Sequence, residues 1–204
     1  MIKENSGKIY RVKLDHNFGF GFAEIYDFTD FLEFDGRIIY TFNRIDPEEK
    51  SDYDLKQITE SGISLGPIRS FSLPGTRGIY ATKYIGQRTN FLINEIPVTK
   101  EFHGLLNDEN NWNNLKKWYR SDKFEKLHSN FVSYNELRSL ETRILSSILG
   151  ISTKLTMKKI IDENRKVSDF YDLSEMKNLN LFVQLINTYY PLEKMEKLLT
   201  EINS

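Results

Sequence analysis

The stretch Gly7–Asn43 decides the fold of this chain; it reads GKIYRVKLDHNFGFGFAEIYDFTDFLEFDGRIIYTFN. It holds seven of the fourteen phenylalanines among the 204 residues. Ile9, Val12 and Leu14 predict a first strand. Asp15-His16-Asn17 then predicts a polar turn. A dense run of apolar residues separated by short turns is typical of a small β-sheet.

The second strand of this stretch alternates aromatic rings with glycine. Phe18, Phe20 and Phe22 fall on one face, because side chains of a strand point to alternate faces. Gly19 and Gly21 leave the other face almost without side chains, and glycine inside a strand marks a bend, a bulge or a close backbone approach. We expect a strand that curves around a barrel-like sheet, with its rings in the interior.

Asp35-Gly36 readily supplies the two positive-φ residues of a tight hairpin turn. The sequence therefore predicts a hairpin between Phe31–Phe34 and Arg37–Phe42. Further strands are predicted at Ile68–Leu73, Ile79–Ile85 and Phe91–Ile96, the first two joined by the turn Pro74–Gly78.

The second half of the chain has helical patterns. A capping box at Ser133–Glu136 starts a predicted helix that ends at Gly150. Further helices are predicted at Tyr53–Glu60, around Trp112–Tyr119, at Lys154–Asn164, from Ser174 to Pro191, and at Leu192–Ile202. We expect an α+β protein, with a curved, mainly antiparallel sheet in residues 1–102 and a helical region in residues 103–204 that packs on it.

Composition limits the classes of protein. The chain has no cysteine, which excludes disulfides, thiolate metal sites and thiol catalysis. The segment Met1–Asn5 is polar and lacks the apolar core of a signal peptide. No window approaches eighteen apolar residues, so no membrane span is predicted. These features predict a cytoplasmic protein that does not contact membranes.

No catalytic motif is visible in the sequence. The three histidines, His16, His103 and His128, lack the spacing of metal ligands. Phosphate-binding glycine loops and nucleophile elbows are missing from the sequence as well. We predict a protein that is not an enzyme and uses no cofactor and no metal. The alternative is an enzyme whose site has no motif. In such a site, carboxylates could pair as acid and base or hold a divalent cation; the candidates are Asp27, Asp30, Glu33 and Asp35.

Charge changes sign along the predicted sheet. Between Glu24 and Asp54 there are ten acidic residues against three basic ones, whereas between Glu60 and Glu95 there is no acidic residue. The second segment carries four cations that are candidates for an anion-binding site. The interpretation we favour is that they are ordinary strand residues that face solvent and protect the edges of the sheet. They are Arg69, Arg77, Lys83 and Arg88.

Phe18–Phe22 also resembles the ribonucleoprotein motif, in which strand aromatics stack on bases. The leading basic residue of that motif is replaced here by Phe18. The acidic segment that follows cannot neutralise phosphates, which supply most of the affinity for nucleic acid. A nucleic-acid-binding module is therefore the alternative function and not the favoured one.

The opening strand Gly7–Val12 resembles the first strand of bacterial immunity proteins of the class numbered twenty-six in polymorphic toxin systems. The strand Phe18–Ile25 is similar to the Gly-aromatic-Gly strand of that class, and an aromatic-rich hairpin follows. Lys83–Gly86 is similar to a second hydrophobic-Gly landmark. The resemblance covers about the first hundred residues. It implies a cytoplasmic protein that binds and neutralises a cognate toxin without catalysis of its own.

An inhibitor of this kind needs complementary charge and exposed aromatic residues. Acidic surfaces accelerate association with basic partners, and tyrosines often contribute most to binding. We therefore predict that an acidic, aromatic strip contacts a toxin that has a basic surface. Its residues are Glu24, Tyr26, Asp27, Phe28, Asp30, Glu33, Asp35 and Tyr53.

Overall fold

The computed structural model describes residues 6–28, 36–70, 82–90, 99–102, 118–121, 137, 140 and 148–203. The chain forms two compact units. Unit 1 comprises Met1–Pro97 and Ile144–Thr156, and unit 2 comprises Val98–Arg143 and Met157–Ser204. The predicted boundary at residue 102 differs from this division mainly because residues 144–156 group with the sheet.

Unit 1 is built on a five-stranded antiparallel sheet, and helices lie in the C-terminal half of the chain, so the fold is α+β as predicted. The sheet is open and does not close into a barrel. The strands are β1 (Lys8–Lys13), β2 (Phe20–Asp27), β3 (Arg37–Phe42), β4 (Ile63–Ser70) and β5 (Thr82–Gln87). Their order is β4-β3-β2-β1-β5. The central strand β2 is buried continuously from Gly21 to Asp27, which shows that both faces of the sheet are covered there.

One face of the sheet carries an aromatic core. Helix α1 (Leu55–Glu60) covers it, and the side chain of Asp54 caps this helix by accepting from the backbone N–H groups of Lys56 and Gln57. We call this side the α1 face. The buried cluster on it consists of Ile9, Phe22, Phe42, Tyr53 and Ile58, with Leu55 and Ile85 packed against it.

The other face receives helix α2 (Ile148–Asp162), whose residues 150–156 are all buried. A Cβ at Gly21 would lie 3.1 Å from Leu155 Cδ1, so glycine allows the helix to approach β2 closely. Ser152 Oγ donates to the Lys13 carbonyl at 2.5 Å, and Thr153 Oγ1 donates to Asp15 at 2.8 Å. These bonds fix α2 to the turn between β1 and β2.

Unit 2 contains the antiparallel pair β6 (Thr99–Phe102) and β7 (Trp118–Ser121). Among the described residues of this unit, helices α3 (Met176–Tyr189) and α4 (Leu192–Leu199) follow the end of α2 and are separated by Tyr190-Pro191, as the sequence predicts. The apolar stripe of α3, including Phe182, Leu185 and Ile186, is buried.

Several local predictions are wrong. Strand β3 pairs with β2 on one edge and with β4 on the other, so its hairpin partner is β2 and not the segment 31–34. That segment lies outside the described residues. Strands β4 and β5 were expected to be neighbours across the turn at 74–78, but they lie at opposite edges of the sheet. Strand β3 therefore pairs along both edges with strands that the turn residues did not predict as its neighbours.

Two helix predictions in the second half also fail. Gly150 does not end a helix, because α2 runs through it from Ile148 to Asp162. Trp118–Ser121, expected at the end of a short helix, is strand β7. The predicted strand at 91–96 and the capping box at 133–136 lie outside the described residues. At Gly150 the helix continues past the predicted end, whereas at Trp118–Ser121 pairing with the distant strand β6 overrides the local helix signal.

Candidate functional site

The acidic, aromatic strip predicted from the sequence does not lie on the surface as a whole. Its five described members are all buried: Glu24, Tyr26, Asp27, Phe28 and Tyr53. The other three, Asp30, Glu33 and Asp35, lie outside the described residues. The acids of β2 therefore do not belong to a surface strip as predicted, because β2 is the central strand and both of its faces are covered.

Glu24 is the most deeply placed of these acids, with 0% of its surface exposed. Arg88 Nε lies 2.7 Å from Glu24 Oε1, and the Tyr26 hydroxyl donates to the same oxygen at 2.8 Å. Burial raises the pKa of Glu24, and these two donors oppose that shift. The pair joins an acid of the acidic segment to a cation of the basic segment, so opposite charges neutralise each other inside the sheet.

Asp27 is also engaged within the sheet. It faces Arg37 across the β2–β3 ladder, with 3.6 Å between Arg37 Nε and Asp27 Oδ2. Its backbone N–H donates to the Ser6 hydroxyl at 2.9 Å. Both described acids of β2 therefore stabilise the scaffold.

The four predicted anion-binding cations do not form one cluster. Arg69 is on β4 and Lys83 is on β5, and these edge strands are separated by four strand spacings, about 19 Å. Arg88 is held by Glu24, and Arg77 lies outside the described residues. Of the three described cations, Lys83 is the exposed one. The prediction of a shared cradle is wrong because it placed β4 beside β5.

Exposed acids lie instead on the segment Pro47–Asp54, which we call the acidic connector. It joins β3 to α1 and contains four carboxylates and one lysine. All of its residues are exposed except Tyr53. Its first turn follows Asp46, whose backbone pairs with Phe20 through two hydrogen bonds of 2.8 and 2.9 Å.

Close contact at Gly19 fixes the start of the acidic connector. A Cβ at this position would lie 2.3 Å from the Asp46 carbonyl oxygen, and φ is +98°. Only glycine fits both requirements. The Asp46 carboxylate accepts from Arg44 and from Lys50, each at 2.9 Å. Burial raises its pKa, but these two hydrogen bonds outweigh burial and hold the pKa of Asp46 below its usual value.

Tyr53 fixes the end of the acidic connector. Its ring packs edge-on against Phe22 with 5.3 Å between centroids, and its hydroxyl accepts from the Lys50 N–H at 3.0 Å. Asp52 and Asp54 accept from the backbone N–H groups of Tyr53 and Lys56. These carboxylates are thus oriented while remaining exposed.

The middle of the acidic connector is held by an ion pair between Glu49 and Arg11 of β1. The hydrogen bond from Arg11 lowers the pKa of Glu49. Arg11 lies against the ring of Phe20, with 4.5 Å from its Cζ atom to the ring centroid. The connector is consequently attached at three points, through Asp46, Glu49 and Tyr53.

The aromatic residues proposed for base stacking do not form a platform. Phe22 is completely buried, and Arg11 covers the half-buried ring of Phe20. Phe18 lies before β2, at the end of a short 3-10 turn. These positions remove the geometric support for stacking of successive bases on this strand.

Sequence reasoning missed Arg11, Gly19 and Asp46 as residues that organise the site. The signal for Arg11 was present, since it shares the alternate positions of β1 with the core residue Ile9. Its pairing with Glu49 could not be read from spacing, because the two residues are 38 positions apart. The alternation with phenylalanine marks Gly19 as a strand glycine, but its partner Asp46 is also distant in sequence.

No family model matches the chain, and neither a curated protein nor a solved structure matches it. Within the described part of the chain, no three or more His, Asp or Glu side chains are grouped as metal ligands. None of the described helices combines the length and the apolar composition of a membrane span.

Proposed function

We propose that this chain is an immunity-type protein, which binds a cognate toxin in the cytoplasm and neutralises it without catalysis of its own. We place the contact surface on the acidic connector and expect the toxin to present a basic surface there. The observation that carries this proposal is the presence of four exposed or half-exposed carboxylates on a segment that is fixed at three points.

Preorganisation is the first physical support. A binding loop that is already ordered loses little conformational entropy on association. Asp46 and Tyr53 fix the ends of the connector, and the Arg11–Glu49 pair fixes its middle. Glu48, Asp52 and Asp54 therefore point outward from a rigid base, which favours a specific contact over a diffuse one.

Charge is the second support. Like charges grouped on one surface steer a basic partner and increase its association rate. The acids of β2 cannot contribute in this way, because Glu24 and Asp27 are buried against Arg88 and Arg37. The connector therefore replaces β2 as the acidic contact in the proposal.

Growth rescue tests the proposal. The gene of an immunity protein ordinarily lies immediately downstream of its toxin gene, so the protein encoded directly upstream should arrest growth when it is expressed alone. We expect co-expression of this chain to restore growth. The variant Glu48→Lys/Asp52→Lys should lose rescue while circular dichroism shows a retained fold.

The control is Glu193→Lys/Glu196→Lys, an equivalent double charge reversal at exposed positions of α4 in unit 2. It should rescue growth as the wild type does. An upstream gene whose product is harmless would refute the immunity function. Full rescue by the connector variant would refute the connector as the contact surface.

A further inference from the structure

Arg11 is an unusual residue to find at the centre of β1. Its side chain is only 8% exposed, and it lies against Phe20 on the α1 face. One of its nitrogens, Nε, is buried without a hydrogen-bond acceptor, whereas Nη1 pairs with the Glu49 carboxylate. A buried donor without an acceptor is unfavourable and rare in native proteins, so this guanidinium can accommodate a ligand with more oxygens than one carboxylate supplies.

A second cation lies beside Arg11. Lys83 of β5 is its direct partner in the β1–β5 ladder, so both side chains lie on the same face of the sheet. Lys83 is exposed and Arg11 is buried, which gives a cationic site with an inner and an outer charge. The Phe20 ring forms an apolar wall beside the guanidinium.

One carboxylate already occupies this position. Glu49 forms an ion pair with Arg11, and its side chain is 53% exposed on the acidic connector. The hydrogen bond and the charge of Arg11 lower the pKa of Glu49, and the charge of Lys83 lowers it further, so both cations act on this carboxylate. Glu49 thus shows where an oxyanion fits.

We propose that Arg11 and Lys83 form a binding site for a phosphate group, and that the Glu49 carboxylate occupies this site in the free protein. A phosphate offers more acceptor oxygens than a carboxylate, so it can serve the guanidinium and the ammonium group at the same time. Entry of a phosphate would displace Glu49 and release the middle of the acidic connector.

The test compares two neighbouring glutamates. Glu49→Gln removes the internal competitor, whereas Glu48→Gln removes the same charge from an exposed residue that makes no ion pair or hydrogen bond within the described residues. Titration with inorganic phosphate at constant ionic strength, followed by NMR, should show binding about five- to tenfold tighter for Glu49→Gln than for the wild type. Glu48→Gln should change the affinity less than about twofold.

A second variant tests the cations without disturbing the buried arginine. Lys83→Ala, introduced into Glu49→Gln, should weaken phosphate binding again, and acetate should bind more weakly than phosphate to Glu49→Gln. Equal affinities for Glu48→Gln and Glu49→Gln would overturn the proposal, as would an unchanged affinity after Lys83→Ala. The titrations contain no protein partner, so their outcome is independent of the immunity function.

Discussion

Strand β2 and the acidic connector both combine carboxylates with aromatic residues, yet the fold uses them in opposite ways. In β2, Glu24 is fully buried and held by Arg88 and Tyr26. In the connector, Glu48 and the neighbouring acids are exposed, and Tyr53 is the residue that is buried. Position in the sheet, rather than local composition, therefore decides whether an acid stabilises the scaffold or is free to contact a partner.

The Arg88→Met variant should cause the largest loss in the free energy of unfolding. It leaves the buried Glu24 carboxylate without its cation, and removal of one partner of a buried pair lowers the free energy of unfolding by about 3 kcal/mol. Lys83→Met, at an exposed position of β5, the strand that ends just before Arg88, should change it by less than about 0.5 kcal/mol. Urea unfolding at pH 7 measures both, and equal losses would show that Glu24 does not depend on Arg88.

Gly19→Ala should have the next largest effect. Its Cβ would overlap the Asp46 carbonyl at a positive φ, and we expect a loss of about 2 kcal/mol. Gly62→Ala is the matched control, because Gly62 also has a positive φ (+81°) but meets only a side-chain atom of Asn43, at 3.3 Å. The control should lose about 1 kcal/mol. Equal losses in thermal or urea unfolding would argue against tight attachment of the connector at Gly19.

The pH dependence of the free energy of unfolding of Arg88→Met tests the role of Glu24. Burial raises the pKa of Glu24, so the folded protein holds this proton more tightly than the unfolded chain does. The ionised form of Glu24 therefore lowers the free energy of unfolding. This loss is absent below the ordinary glutamate pKa and develops as the pH rises through the pKa of Glu24 in the folded protein. Arg88→Met raises the pKa of Glu24 further. Each additional pKa unit lowers the free energy of unfolding above that pKa by about 1.4 kcal/mol.

The stability deficit of Arg88→Met should therefore be smaller at pH 5 than at pH 7, by about 1 kcal/mol. Introducing Arg88→Met into a Glu24→Gln background removes the titrating group, and the deficit should then be the same at both pH values. Urea unfolding of the four proteins measures this. A deficit that still shrinks in the Glu24→Gln background would assign the pH dependence to another residue.

The smallest effect on stability is expected in the connector. Glu48 is exposed, so Glu48→Lys should change the free energy of unfolding by less than about 0.5 kcal/mol. A loss above about 2 kcal/mol would show that the connector acids stabilise the scaffold as those of β2 do, and the contrast between the two regions would disappear.

Much of the fold could be predicted from local patterns. The alternation of Tyr10, Val12 and Leu14 and the apolar stripe of Phe182–Ile186 identify β1 and α3, because each pattern has the period of its own element. The open sheet could not be predicted, since the partners of β3 and β5 depend on strand order and not on turn residues. The sequence does not define the role of Gly150, because a glycine after an apolar stripe often ends a helix but can also lie inside a helix that continues.

The candidate site was only partly predictable. The excess of acids between Glu24 and Asp54 was evident, but sequence cannot separate the buried acids from the exposed ones without the strand order. Once β2 is known to be central, the period-two pattern places Glu24 on the same face as Phe22 and explains its burial. The contacts of Arg11 with Glu49 and of Gly19 with Asp46 join distant segments and required the structure.

The most direct test of the central claim is the association rate of this chain with the toxin encoded upstream, measured by stopped flow at low and high salt. We expect Glu48→Lys to associate about three- to tenfold more slowly than the wild type at low salt, with the difference decreasing at high salt. The control Glu196→Lys should associate at the wild-type rate. If Glu48→Lys also associates at the wild-type rate, or if both variants are slowed equally, the acidic connector is not the surface that meets the partner.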